Sequence, residues 1–285
     1  MNLLKIKSHA KINLALDVLG KSGKYHKVQT VLQEIDLFDT VTLKEIPKKK
    51  IIIKTTDKAV PTTPKNLAYQ AAEMVIKAGR VKKGVEIFIN KHIPVAGGFG
   101  GGSSNAATVL LGLNKMWDLK LKPAQLEKMA AKLGMDVPFF LYGKTAVGTH
   151  FGEKIKKIEG HVPLCALLLI PDAKHELVNK TKLVYKKLNT KLCGKDQKKT
   201  KALLIALKKS DKDGVLKNLH NDIETVMDIS EIRTTLMTAG ASGVVLSGSG
   251  PSIVALFKNK LERKQGQQKL DPKFKKHFRL IQAEI

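Results

Sequence analysis

The chain has 285 residues, 43% of them hydrophobic and 27% charged, which suffices for one large or two ordinary domains with packed cores. No apolar run approaches the roughly 20 residues that span a bilayer, and the first residues alternate like a strand instead of forming a signal-peptide core, so no membrane partner is expected. The formal net charge of +26 calls for anionic partners, yet only four of the 51 basic residues are arginine and the lysines lie in scattered clusters, which argues against a specific reader of nucleic acid.

Residues 4–19 alternate Ile, Leu and Val with Lys, Asn and Asp and predict a strand, followed by a glycine turn at 20–23. Residues 28–35 and 40–43 predict two further strands, and 48–56 a short one. Asn66 stands as the N-cap of a helix over 67–78. A strand over 85–89 leads into a glycine run, which passes into a helical stretch at 106–113. A helix over 123–133 precedes Gly134-Met135-Asp136-Val137-Pro138, and a strand begins at Thr145. Residues 152–160, rich in lysine and glycine, mark a boundary between a domain of residues 1–157 and one of residues 158–285. Beyond it come a strand over 161–171, helices over 181–188, 201–207 and 224–238, and strands over 243–246 and 253–257. A basic helix or loop over 258–274 and a closing strand over 279–283 complete the chain. Strands and helices interleave without regular alternation, which favours an α+β fold. Cys165 and Cys193 have no metal-like spacing, Cys165 lies in an apolar run, and the expected compartment is cytoplasmic.

The glycine run is the most informative segment. Pro94, Val95 and Ala96 lead into Gly97 and Gly98; Phe99 interrupts; Gly100, Gly101 and Gly102 follow, and then Ser103 and Ser104. A backbone so poor in Cβ atoms can approach a ligand closely and visit positive φ. Feeding it into a helix start directs unpaired N–H groups and the positive end of the dipole at one point, an anion site sized for a polyphosphate. No lysine precedes Ser103, so this is not a Walker A loop. Asp118 follows Trp117 at the end of a helical run, where a dinucleotide fold would place its acidic residue at the end of a strand.

Three more segments join the loop: Ala10-Lys11-Ile12-Asn13-Leu14, Tyr25-His26 and Asp136-Val137-Pro138. Together with Asn66-Leu67, Asn221-Asp222 and residues 247–251, they resemble the 4-diphosphocytidyl-2-C-methyl-D-erythritol kinases of the GHMP kinase superfamily across nearly the whole chain. The resemblance implies an N-terminal domain like the second domain of ribosomal protein S5 and a ferredoxin-like C-terminal domain. It also implies ATP and Mg2+ as cofactors and a cytidine diphosphate sugar alcohol as the small-molecule substrate.

The same resemblance assigns roles. Residues 94–104 would cradle the triphosphate, with Ser104 as a ligand to the metal; on residue type alone, Ser103 and Ser104 are equally good helix caps. Asp136 would be the catalytic carboxylate paired with Lys11, where the residues alone suggest a helix cap and an edge-strand lysine facing solvent. Asn13 would contact the methylerythritol hydroxyls and Asn66 the adenine side. Tyr25 and Tyr185 would stack on the two faces of cytosine, with His26 hydrogen-bonding the base. Gly248, Ser249 and Gly250 would line the acceptor phosphates, although a tight hairpin explains them as well. A Gly-x-Gly-Glu ending expected after Asp136 reads His150-Phe151-Gly152-Glu153 here, which leaves Glu153 without a role. Other GHMP kinases of the mevalonate, phosphomevalonate or homoserine type are the nearest rivals, and a basic RNA-binding protein on an S5-like fold is a rival of a different class.

Overall fold

The computed structural model describes residues 2–23, 25–172 and 180–285. In chain order the elements are β1 (Leu3–Ser22), β2 (Tyr25–Ile46), β3 (Ile51–Thr55), α1 (Leu67–Ala78), β4 (Gly84–Asn90), α2 (Gly101–Met116) and α3 (Pro123–Leu133). After a 3-10 turn at Val137–Leu141 come β5 (Thr145–Thr149), β6 (Lys154–Lys157), β7 (Cys165–Pro171), α4 (Lys180–Lys187), α5 (Gln197–Lys208) and α6 (Lys212–Lys217). Then follow β8 (His220–Asn221), a second 3-10 turn at Asp222–Thr225, α7 (Ser230–Thr238), β9 (Gly243–Leu246), β10 (Ile253–Phe257), α8 (Lys260–Lys269), α9 (Pro272–Lys275) and β11 (Phe278–Glu284). The chain divides into two compact units, one of Met1–Ala10, Leu37–Val95 and Gly100–Gly143, the other of Lys11–Asp36, Ala96–Phe99 and Lys144–Ile285.

In the first unit β3 runs parallel to β4, and β4 pairs antiparallel with Thr40–Ile46 of β2. Helices α1, α2 and α3 cover one face of these strands. Their alanines, Ala68, Ala71, Ala72, Ala106 and Ala107, are fully buried beside Val41, Leu43, Ile87 and Ile89. Small side chains let backbones pack closely, and Gly112 on α2 shows how closely: a Cβ there would sit 2.5 Å from Leu43 Cδ1. Leu110, also fully buried, contributes about 1.5–3 kcal/mol by leaving water.

In the second unit residues 30–33 of β2 pair antiparallel with β5, β5 pairs with β6, and β1 runs parallel to the short β8. A separate antiparallel sheet has the order β11-β7-β10-β9. Its core side carries Leu167, Leu169, Leu246, Ile253 and Phe257. Cys165 and Cys193 are buried, and burial pushes both thiols up from their ordinary pKa.

The structure corrects several expectations. Residues 28–35 and 40–43 are parts of one strand, β2. Between them Asp39 takes the backbone N–H groups of His92 and Ile93, and Asp36 takes that of Glu284. The strand therefore continues while its partner changes from β5 to β4. The helix expected over 224–238 is broken, because the Asp228 carboxylate accepts the Ser230 N–H and restarts the chain there. The stretch 152–160 contains strand β6, held by its ladder with β5.

Candidate active site

Helix α2 begins at Gly101, earlier than its apolar run suggests, so Ser103 and Ser104 lie inside its first turn and neither is the N-cap. Gly100 occupies that position in the left-handed conformation, φ 71°, with no side-chain cap. The first turn carries no acidic residue. Gly102 is exposed, and a Cβ there would meet nothing within 4 Å. Gly101 has no such room, since a Cβ would lie 3.0 Å from Ile93 Cγ2 and Lys91 Nζ.

A buried polar network holds this turn. Lys91 Nζ donates to Asp39 Oδ2 at 2.5 Å, with the two side chains 5% and 0% exposed. Asn105 Nδ2 donates both to Asp39 Oδ2 and to Ser8 Oγ, each at 2.9 Å, and Ser8 Oγ lies 2.8 Å from Ser104 Oγ. One carboxylate thus ties residues 91–93, just past the strand end, to Asn105 of α2. Sequence reasoning missed Ser8, Asp39, Lys91 and Asn105, because each is an ordinary polar residue until its partner is known.

Asn66 caps α1 as expected, its Oδ1 accepting the Ala68 N–H at 2.8 Å while Nδ2 donates to the Pro61 carbonyl. Asp136 precedes the 3-10 turn at Val137–Leu141, but its side chain does not cap it. Buried Val137 and Phe139 anchor the backbone on either side of Pro138.

In the second unit Lys11 is 3% exposed, so it is not a solvent-facing edge lysine. Its Nζ donates to Asn13 Oδ1 at 2.8 Å; Asn13 Nδ2 donates to Thr30 Oγ1, which donates to the Ala15 carbonyl. The Lys11 backbone N–H donates to the Phe99 carbonyl at 3.0 Å. Gly98 has φ 83°, and a Cβ there would lie 2.5 Å from the Ser247 carbonyl oxygen. Ser247 Oγ donates to the Gly98 carbonyl. Residues 247–252 connect β9 to β10 as a hairpin, so the structural reading of these glycines holds. The turn also closes on the lysine: a Cβ at Gly248 would meet Lys11 Nζ at 3.3 Å and Asn13 Oδ1 at 3.4 Å. Asn221 Nδ2 pins it through the carbonyls of Leu246 and Gly248, and Ser249 Oγ bonds Thr181 Oγ1 at 2.9 Å. Asp222 accepts the N–H groups of Val18 and Gly194; burial raises its pKa.

Two aromatic pairs lie in the same unit. Tyr25, 55% exposed, has its ring centroid 5.3 Å from that of Phe151, and His26 lies 5.3 Å from Tyr185. Burial lowers the His26 pKa, and Lys21 lowers it further, so the imidazole is neutral near pH 7.

Among the described residues no helix is long and apolar enough to cross a membrane. The model of the GHMP kinases N terminal domain matches residues 66–144, and that of the GHMP kinases C terminal domain matches residues 203–276. With an open helix start behind a glycine loop in the first match, the fold and sequence define a phosphotransferase of the GHMP kinase class. The 4-diphosphocytidyl-2-C-methyl-D-erythritol kinase of Clostridioides difficile (strain 630) is 41% identical over 98% of this chain and 95% of its own. A crystal structure of 4-(cytidine 5'-diphospho)-2C-methyl-D-erythritol kinase superimposes with a TM-score of 0.81 at 28% identity, covering 99% and 98% of the two chains. Homoserine kinase from Cytophaga hutchinsonii gives 0.76 at 18% identity, covering 100% of this chain and 94% of its own, a likeness of fold alone. The chain belongs to the 4-diphosphocytidyl-2-C-methyl-D-erythritol kinase family.

Proposed function

We propose that this kinase transfers the γ-phosphoryl group of ATP to the 2-hydroxyl of 4-diphosphocytidyl-2-C-methyl-D-erythritol, a cytoplasmic step toward isoprenoid precursors. The observation that carries the reading is the start of α2: a left-handed glycine, no side-chain cap and no acidic residue, at the end of a run of glycines. Phosphoryl transfer asks the protein mainly for positioning and charge neutralisation. Residues 94–104 cradle the triphosphate. Lys11, held by Asn13 beside the Gly248 turn, offers a positioned positive charge to the moving group. Asp136, whose carboxylate is not used as a cap, orients the acceptor hydroxyl and takes its proton.

Asn13 then reads the methylerythritol hydroxyls, and Gly248, Ser249 and Gly250 face the acceptor's phosphates. Tyr25 and Tyr185 stack on cytosine and neutral His26 hydrogen-bonds it; stacking contributes about 1–3 kcal/mol per base. Asn66 lies on the adenine side. Magnesium, when bound with the nucleotide, neutralises phosphate charge; it keeps several waters and takes few protein oxygens. The hydroxyls at the α2 start suit such an ion. Ser103, partly exposed, is the readier ligand, while Ser104 is 1% exposed and its hydroxyl already bonds Ser8 Oγ at 2.8 Å. The division at 157/158 is retained as a proposal, since the two family matches fall on either side of it.

The test is ADP release with 4-diphosphocytidyl-2-C-methyl-D-erythritol, compared with mevalonate and homoserine. Asp136→Ala is expected to lower turnover by about 10²–10⁴-fold with an unchanged unfolding transition. Wild-type turnover in that variant ends the assignment. Faster turnover of mevalonate or homoserine moves the substrate within the superfamily.

A further inference from the structure

We infer that Phe151 is a positioning residue that sets acceptor specificity by supporting the ring of Tyr25, and that a clamp between His150 and Glu153 holds it there. The inference rests on the reading of Tyr25 as the platform for the acceptor's base. An exposed phenol ring loses rotamer freedom when it orders against a ligand, and a neighbour that orders it beforehand removes that cost. The Phe151 ring lies 5.3 Å from the Tyr25 ring at an interplanar angle of 42°, inside the range of favourable aromatic pairs.

Phe151 is itself held from two sides. The His150 ring lies 3.8 Å from its ring, and the Phe151 N–H donates to Glu153 Oε2 at 2.9 Å. The other carboxylate oxygen, Oε1, receives His150 Nδ1 at 2.5 Å. Burial works to raise the Glu153 pKa, and the hydrogen bonds from His150 and the backbone outweigh it, so the carboxylate is ionised and Nδ1 is the donor. Gly152, φ 111°, lets the chain double back so that one carboxylate reaches both groups.

His150 has φ 66°, a left-handed conformation that side-chain-bearing residues seldom adopt and that persists where the surroundings over-determine it. Here the surroundings are the Glu153 contact, the ring of Phe151 and the His150 carbonyl, which accepts the Val28 N–H at 2.7 Å. That last bond ties the turn to β2 three residues beyond Tyr25. The strand that carries the platform and the turn that carries its support are therefore one hydrogen-bonded piece.

The experiment is a double-mutant cycle on the full chain with steady-state kinetics for both substrates. Phe151→Ala is expected to raise KM for 4-diphosphocytidyl-2-C-methyl-D-erythritol by roughly two- to tenfold, the worth of one aromatic pair. The KM for ATP and kcat should stay within about twofold of wild type, and Phe151→Tyr should restore the acceptor KM. In a Tyr25→Ala background Phe151→Ala should add nothing further, because its effect runs through the Tyr25 ring. A wild-type acceptor KM in Phe151→Ala, beside a raised one in Tyr25→Ala, overturns the support role while leaving the platform intact. An undiminished effect of Phe151→Ala in the double variant overturns it too. An unchanged acceptor KM in Tyr25→Ala removes the platform and the inference together.

Discussion

Helices α1 and α2 lie in the same unit and share one hydrophobic cluster, yet they begin in opposite ways. At α1, Asn66 has extended backbone angles and its side chain accepts the Ala68 N–H, so the helix meets part of its own end requirement. At α2, Gly100 is left-handed, no side chain caps the turn, and the residues that follow are Gly, Gly, Ser and Ser. An unmet buried donor costs about 1–3 kcal/mol, so a mostly buried 16-residue helix gains nothing structural from an uncapped start. The contrast separates a helix end closed by its own cap from one left uncapped, the end proposed above to receive the triphosphate.

Three substitutions can break that contrast. The largest effect is expected for Gly98→Ala in the loop leading to α2. A methyl group at φ 83° and 2.5 Å from the Ser247 carbonyl oxygen should cost at least about 3 kcal/mol, read as a lowered denaturation midpoint, with loss of turnover. A stable, active Gly98→Ala would mean that the close approach is not needed.

Gly102→Asp is a cleaner discriminator, because the site is exposed and open to a Cβ. A carboxylate in the first turn should hold or raise stability by about 0.3–1 kcal/mol through the helix dipole. If triphosphate binds there, the same carboxylate repels it, and KM for ATP should rise at least about tenfold by nucleotide titration. Higher stability with unchanged ATP kinetics would show that the open end serves no anion.

The smallest effect belongs to Asn66→Ala. Loss of the cap should cost about 1 kcal/mol, a fall of roughly 2–4 °C in melting temperature. A KM for ATP within about twofold of wild type would leave Asn66 as a cap alone, whereas a larger rise would add the adenine contact.

Much of this was legible because local chemistry and fold agree. The α1 boundaries and its Asn66 cap, the β9 and β10 limits and the burial of Cys165 follow from periodicity, capping preference and apolar runs. The continuity of β2 was not legible, because the residues that donate to Asp36 and Asp39, which are Glu284, His92 and Ile93, lie far along the chain. The same reason hid the Lys91–Asp39–Asn105 network, whose members are far apart in sequence and unremarkable singly. Lys11 was misjudged on residue type for a related cause. A lysine in a strand suggests an edge, and only Asn13, Thr30 and the Gly248 turn show that it is enclosed. Phe151 stood out in the sequence only as part of the departure at 150–153, because its meaning depends on a ring 126 positions away.

The discontinuous make-up of the two units has a consequence for synthesis on the ribosome. All segments of the first unit have been made once residue 143 is added. The second unit claims residues 11–36 from the start of the chain, but the β8 partner of Ala15 and Leu16 is not made until residues 220 and 221. At about 5–20 residues per second, that part of β1 waits on the order of ten seconds or more for its neighbour. The nascent chain must therefore carry a half-paired apolar strand while the first unit is already complete, and slowing translation over residues 144–220 should lengthen its exposure to chaperones and proteases.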